Sequence, residues 1–369
     1  MEFSSFTFIL TESCNFNCSY CYQKKGLRQL EVSSLEKALD FFLPFLKDES
    51  YINFTGGEPL LAFEQVSKAV DCTKKKNKKE KKQIGFSLTT NGFLLDDEIL
   101  EFLDQNKFSL MLSYDGLAQD LSRKKGSSKK IVSLIKKINK CQGIDFVTNS
   151  VFVPATVSLF SKSIQHIVDL GVPDVLFSLS NVPPWDSSSL LRLEQEMSQL
   201  RAFAVSHYEN TGRIPISNFR KSSKRGEFGC KAGKDRMSLA PDGMLWGCYI
   251  YADYFKEKEG TSEYDEYCFG TLDSFIEDHE SIYSETLPNY SGLLMGCFYT
   301  PETCCMICDN IKECVVCPVE AAYSSSTIGK IPPWTCKIRK ILIKERHLFW
   351  EEVKSQDPGL KVTEGRQLF

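Results

Sequence analysis

The placement of cysteine constrains this chain more than any other feature. Of fifteen cysteines in 369 residues, Cys14, Cys18 and Cys21 stand together near the start, and ten more fall between Cys230 and Cys336. Thiols gathered in this way form disulfides or bind metal. The segment Met1 to Leu10 lacks the charged start, long apolar run and cleavage site of a secretory signal, so a disulfide framework is not expected. Metal ligation is the expectation.

Composition narrows the classes. A net charge of -3 offers no basic field for nucleic acid. The run Lys74 to Lys82 has no interleaved aromatics and reads as a solvated loop. No apolar stretch approaches the ~18 residues that cross a bilayer. A soluble, cytoplasmic protein with no membrane and no nucleic-acid partner is expected. Four histidines, none paired at ligand spacing, give little support to histidine metal sites or hydrolytic triads.

The first half alternates β-rich runs with helical periodicity, the pattern of repeated strand-helix units around a parallel sheet. Strands are predicted at Phe3 to Leu10, Tyr51 to Phe54, Gly85 to Thr89, Ser109 to Leu112, Asp145 to Val153 and Val175 to Leu179. Helices fall between them, the first opened by a Ser33/Glu36 capping box with Leu35, Ala38, Leu39 and Phe42 on one face. Six such units make an incomplete barrel, a partial (β/α)6 α/β fold with chemistry at the carboxyl ends of its strands. The polar stretch Lys221 to Gly226 marks the expected boundary, giving a core over 1–225, a cysteine-rich domain over 226–345 and a C-terminal helix and tail over 346–369.

Directly after the first strand, Cys14-Asn-Phe-Asn-Cys18-Ser-Tyr-Cys21 lets three thiolates converge on one centre. Three protein ligands on a four-iron cluster leave one iron open for a small molecule. A zinc knuckle is the alternative. Thr55-Gly56-Gly57-Glu58-Pro59 follows the second strand, Thr89-Thr90-Asn91-Gly92 the third and Ser113-Tyr114-Asp115-Gly116 the fourth.

In this order, the segments resemble the radical S-adenosylmethionine (SAM) superfamily, whose three cysteines are separated by three and two residues with an aromatic before the last. Tyr20 fills that place. The resemblance implies that Cys14, Cys18 and Cys21 hold the catalytic cluster and that Gly56, Gly57 and Glu58 meet the SAM amino group. It sets Thr90 and Asn91 beside the ribose, Ser113 on SAM and Asp115 on the substrate side, while Arg123 matches an arginine that binds the SAM carboxylate in relatives. The cluster chemistry so implied is reductive cleavage of SAM to methionine and a 5'-deoxyadenosyl radical that takes hydrogen from substrate carbon.

The late series runs Cys230, twelve residues, Gly243, four residues, Cys248, with Ala240-Pro241-Asp242-Gly243 reading as a hairpin turn that brings the two cysteines together. Cys305, Cys308, Cys314, Cys317 and Cys336 follow. This resembles the SPASM domain, a module carrying two auxiliary four-iron clusters, three clusters in all. By position, Cys305, Cys308, Cys314 and Cys336 would bind the outer cluster and Cys230, Cys248 and Cys317 the inner one. The inner fourth ligand stays open among Cys268, Cys297, Cys304 and an open iron. The last spacing in the middle group is two residues where the family has three, and a zinc-ribbon-like module is the alternative. Cys72 and Cys141 read as buried thiols on helices.

The resemblance implies an oxidoreductase acting on a peptide or protein, forming a thioether or carbon-carbon crosslink, with an external one-electron donor of flavodoxin or ferredoxin type. No room precedes the first strand for a leader-binding domain, so a separate leader-peptide-binding protein is the corresponding expectation. The runner-up is an anaerobic sulfatase-maturating enzyme, but those relatives carry an aspartate after the second hairpin cysteine, where Tyr249 stands here. A non-catalytic electron carrier would need clusters but not the Gly56 to Glu58 loop. The stretch Tyr249 to Tyr267 reads as a solvated insertion.

Overall fold

The computed structural model describes residues 1–180, 182–220, 229–294 and 303–356. The expected boundary at Lys221 to Gly226 and the ligand candidate Cys297 lie outside these residues.

In chain order the barrel half is β1 (Phe3–Ile9), α1 (Val32–Phe42), β2 (Leu46–Thr55), α2 (Phe63–Glu80), β3 (Ile84–Thr90), α3 (Asp97–Gln105), β4 (Ser109–Ser113), α4 (Gln119–Ser122), α5 (Ser128–Ile138), β5 (Asp145–Phe152), α6 (Phe160–Asp169), β6 (Val175–Leu179) and α7 (Ser187–Thr211). The C-terminal half is β7 (Arg236–Leu239), β8 (Met244–Trp246), α8 (Tyr249–Phe255), α9 (Ser262–Tyr267), β9 (Cys268–Thr271), α10 (Leu272–Glu277), α11 (His279–Ser291), α12 (Pro318–Ser325) and α13 (Pro333–Gln356).

All these strands form one sheet in the order β6-β5-β4-β3-β2-β1-β7-β8-β9. The six expected strand-helix units are present, and their strands are parallel. Parallel strands need covered faces, and the sheet core is accordingly aromatic: Phe8, Phe54, Phe86 and Phe108 stack in sequence along it. β7 joins parallel to β1, pairing Ser5 with Arg236 and Phe8 with Leu239. β8 then turns back antiparallel through the expected hairpin, where Gly243 takes φ 82°. The C-terminal half therefore extends the barrel sheet, and α13 returns to pack on α7, with Trp350 donating to the Phe219 carbonyl at 2.8 Å.

Four sequence expectations change. α1 begins at Val32 with no side-chain cap, so Ser33 and Glu36 lie inside it, though its apolar face is buried as expected. The lysine run is the end of α2, continuing to Glu80, because lysine is a good helix former and Lys78 and Lys79 complement the carboxyl end of the helix. Residues 249–255 and 262–267 are helical, with Tyr251, Tyr254, Phe255, Tyr264 and Tyr267 buried, so the stretch is a packed layer that exposes Glu259, Asp265 and Glu266 rather than a solvated insertion. Cys72 lies on α2 and Cys141 beyond the end of α5; both are half-buried against the core rather than enclosed. Among the described residues no helix is long and apolar enough to cross a membrane.

Candidate active site and auxiliary centres

The cysteine loop hangs from the carboxyl end of β1 and is closed at its base by backbone. Thr11 bridges Gln29, Glu12 N donates to the Arg28 carbonyl at 3.0 Å and Leu30 N to the Leu10 carbonyl at 2.8 Å. A closed loop of this kind holds its shape without relying on its cysteines.

The next loop packs directly on it. Gly57 N donates to the Thr11 carbonyl at 2.7 Å and Glu58 N to the Ser13 carbonyl at 2.9 Å. A Cβ at Gly57 would stand 2.3 Å from the Ser13 carbonyl oxygen, and one at Gly56, where φ is 148°, 2.6 Å from that of Thr11. These glycines are thus required by the approach of two backbones. Glu58 is 1% exposed and accepts from Thr90 Oγ1 at 2.6 Å, Asn91 N at 2.9 Å and Leu60 N at 3.1 Å. Burial pushes its carboxyl up to about 7, against the pull of those three hydrogen bonds. Asn91 reaches back to the cysteine loop, donating to Asn15 Oδ1 at 2.7 Å and lying 4.0 Å from Cys14 Sγ.

Asp115, fully buried after β4, is the second tie. It accepts from Tyr20 Oη at 2.7 Å, Ser122 Oγ at 2.6 Å and Val151 N at 2.9 Å, and pairs with Arg123 Nη2 at 3.0 Å. Arg123 lies over the Tyr20 ring, and its Nε is buried without an acceptor. Ser113 stands half-buried at the end of β4. The segments singled out after the first four strands therefore meet at one end of the sheet.

The residues fit an iron-sulfur group there. Cys14, Cys18 and Cys21 act electrostatically on one another, and each thiol is pushed up by burial, Cys18 to about 11. Donors surround them, with Phe16 N 3.4 Å from Cys14 Sγ and the Arg123 charge acting on Cys18 and Cys21. Among the described residues no three His, Cys, Asp or Glu side chains draw close enough to hold a single metal ion.

The late cysteines fall into two groups. Burial pushes the Cys314 thiol up to about 11, and Cys336, Cys305 and Cys308 add to that rise. Separately, Cys248 and Cys230 act on Cys317. Of the candidates for a fourth inner ligand, Cys304 sits beside Cys305 and Cys336, in the outer group. Cys268 lies 3.9 Å from the Leu245 carbonyl and faces Tyr264.

Sequence reasoning missed the latch that joins the two halves. Asp253 on α8 accepts from Lys24 N at 3.0 Å and from Tyr323 Oη at 2.5 Å, and Lys256 reaches Glu12 at 3.0 Å. Asp253 and Lys24 stand 229 positions apart, which leaves no local signal.

The comparisons agree with this geometry. Residues 8–165 match the family described as the Radical SAM superfamily. The radical SAM cyclopropyl synthase TigE of Paramaledivibacter caminithermalis is 24% identical over 320 residues, 78% of this chain and 67% of that protein. A cysteine-type anaerobic sulfatase-maturating enzyme of Clostridium perfringens is 35% identical over 117 residues, 29% of this chain and 31% of that protein. Among solved structures, anSMEcpe with bound AdoMet superposes with a TM-score of 0.72 at 18% identity, covering 98% of this chain and 97% of that one. Streptococcus suis SuiB bound to precursor peptide SuiA gives 0.59 at 16% identity, covering 91% and 76%. Residues 8–165 thus carry the radical SAM domain match, and the chain has the α/β fold of these solved structures with a cysteine-rich C-terminal region.

Proposed function

We propose that the chain is a radical SAM peptide maturase that oxidatively modifies a ribosomally made peptide or a protein side chain by a thioether or carbon-carbon crosslink. The observation that carries this reading is the convergence of the Cys14–Cys21 loop with the Glu58, Asn91 and Asp115 loops at the carboxyl ends of four parallel strands. When bound, a four-iron cluster with SAM supplies one-electron cleavage and a hydrogen-abstracting radical.

The chain's own residues have separable tasks. Cys14, Cys18 and Cys21 ligate the cluster. Gly56 and Gly57 bring Glu58 under the SAM amino group, while Thr90 and Asn91 fix Glu58 and border the ribose. Ser113 meets SAM, Asp115 holds Tyr20 and Arg123 in place on the substrate side, and the free Nε of Arg123 suits a carboxylate. The two later groups would hold auxiliary clusters, Cys305, Cys308, Cys314 and Cys336 the outer and Cys230, Cys248 and Cys317 the inner, and such clusters would supply one-electron acceptance for a net oxidation. A peptide substrate is supported by SuiB, which was solved with a precursor peptide. An external one-electron donor and a separate leader-binding protein complete the proposal.

Anaerobic reconstitution tests it. The expected product is a brown protein with about twelve irons per chain, three four-iron clusters. With SAM and dithionite it should release 5'-deoxyadenosine. Iron without 5'-deoxyadenosine would instead favour an electron carrier. Formylglycine formation on a sulfatase peptide would revive the sulfatase-maturating reading, which Tyr249 in place of an aspartate disfavours.

A further inference from the structure

Among the described residues, two buried donors in the C-terminal half lack an oxygen or nitrogen acceptor. Arg236, the first residue of β7, is half-buried, and its Nε is shut from solvent with no acceptor. Tyr251, in the first turn of α8, is 2% exposed, and its hydroxyl has no oxygen or nitrogen partner. Arg201 pairs with Glu345 at 2.8 Å and Arg220 with Asp174 at 2.8 Å, whereas Arg339 on α13 shares with Arg236 a buried Nε that has no acceptor. A guanidinium withdrawn from water without an anion is costly, and so is an unsatisfied phenol.

Both orphans bear on Cys230, and each on one further cysteine of the same group. The Arg236 charge acts on Cys230, Cys248 and Tyr249, while Tyr251 lies against Cys230 and within the field of Cys317. The backbone explains the convergence. Gly233 N is shared between the carbonyls of Arg236 at 3.0 Å and Gly247 at 3.1 Å, so the turn before β7 closes on the strand end that carries Cys248. Tyr251 N donates to the Cys248 carbonyl at 3.0 Å, which swings its ring back over the same spot.

We propose that Arg236 and Tyr251 donate hydrogen bonds to an anionic iron-sulfur cluster held by Cys230, Cys248 and Cys317, and that they raise its reduction potential. This rests on the reading of the late cysteines as cluster ligands. A cluster gains one negative charge on reduction, so a nearby cation and a phenolic donor favour the reduced form. The inner cluster becomes the better acceptor for the electron a substrate radical gives up. Arg236 and Tyr251 are positioning and tuning residues that take no part in bond-making.

The test uses the full chain with Cys14, Cys18 and Cys21 all replaced by alanine, so that only auxiliary signals remain. Wild-type auxiliary sites, Arg236→Gln, Arg236→Lys and Tyr251→Phe are reconstituted anaerobically, assayed for iron, and titrated potentiometrically by EPR. Iron should be unchanged. In Arg236→Gln one midpoint should fall enough to change the reduced-to-oxidised ratio at fixed potential about tenfold, about 59 mV for one electron. Tyr251→Phe should fall less, and Arg236→Lys should keep most of the wild-type value. Retained iron with unshifted midpoints overturns the proposal, and if Arg236→Gln fails to assemble, an unshifted Tyr251→Phe overturns it alone. Iron for a single cluster in the parent chain overturns the cluster reading itself, and with it this proposal.

Discussion

The two cysteine-bearing regions of this chain are built in opposite ways. The N-terminal three lie within eight residues, on a loop closed by the Thr11–Gln29 bridge and tied by Glu58, Asn91 and Asp115 to the ends of three further strands. Its geometry follows from a parallel sheet and a net of hydrogen bonds. The outer C-terminal group is drawn from Cys305 through Cys336, across a stretch whose described part before Pro318 contains only the 3-10 turn Cys305–Ile307. Its apolar support is a small cluster of Cys305, Val316, Ala321 and Ile331. The first loop is held by the fold, whereas the second stretch has far less of the fold to fix its shape.

Breaking each region should therefore fail differently. The largest effect is expected from Cys18→Ala, which should drop 5'-deoxyadenosine formation below detection while leaving the thermal midpoint near wild type; a collapse in stability would place the loop in the metal-dependent class. Next, Cys314→Ala should strip amide-exchange protection from residues 303–336 while SAM cleavage persists. Protection retained there without the outer cluster would erase the contrast.

Asp115→Asn should cost roughly 3–5 kcal/mol in chemical unfolding, because Arg123, 7% exposed, loses its only anion among the described residues. The smallest effect concerns pH. Glu58 is pushed up to about 7 from 4.5 by burial, so its protonated form is favoured in the folded chain and stability falls as pH rises from 4.5 to 7. Glu58→Gln should remove that fall, up to about 3 kcal/mol, from the difference between the two proteins. Parallel pH profiles would contradict it.

Legibility followed the same divide. The first site could be read because its cysteines are sequence neighbours and the Gly56, Asn91 and Asp115 segments each follow a strand. The six barrel strands could be read because short runs rich in β-branched and aromatic residues alternate with helical periodicity. What could not be read was set by distant pairing. Asp253 holds Lys24 across 229 positions, and the Tyr251 face of α8 is hidden among acidic neighbours that look solvated. The glycines of the second loop were expected to make room for a ligand, yet their nearest obstacle is the cysteine loop itself. Arg236 carried no pattern at all, and only its missing acceptor marks it.

The most direct test of the central claim is EPR of the dithionite-reduced protein with and without SAM. SAM should alter the signal of one cluster, and replacing Cys14, Cys18 and Cys21 should remove that signal and its response together. A spectrum indifferent to SAM, or a response that survives loss of those three cysteines, would contradict it.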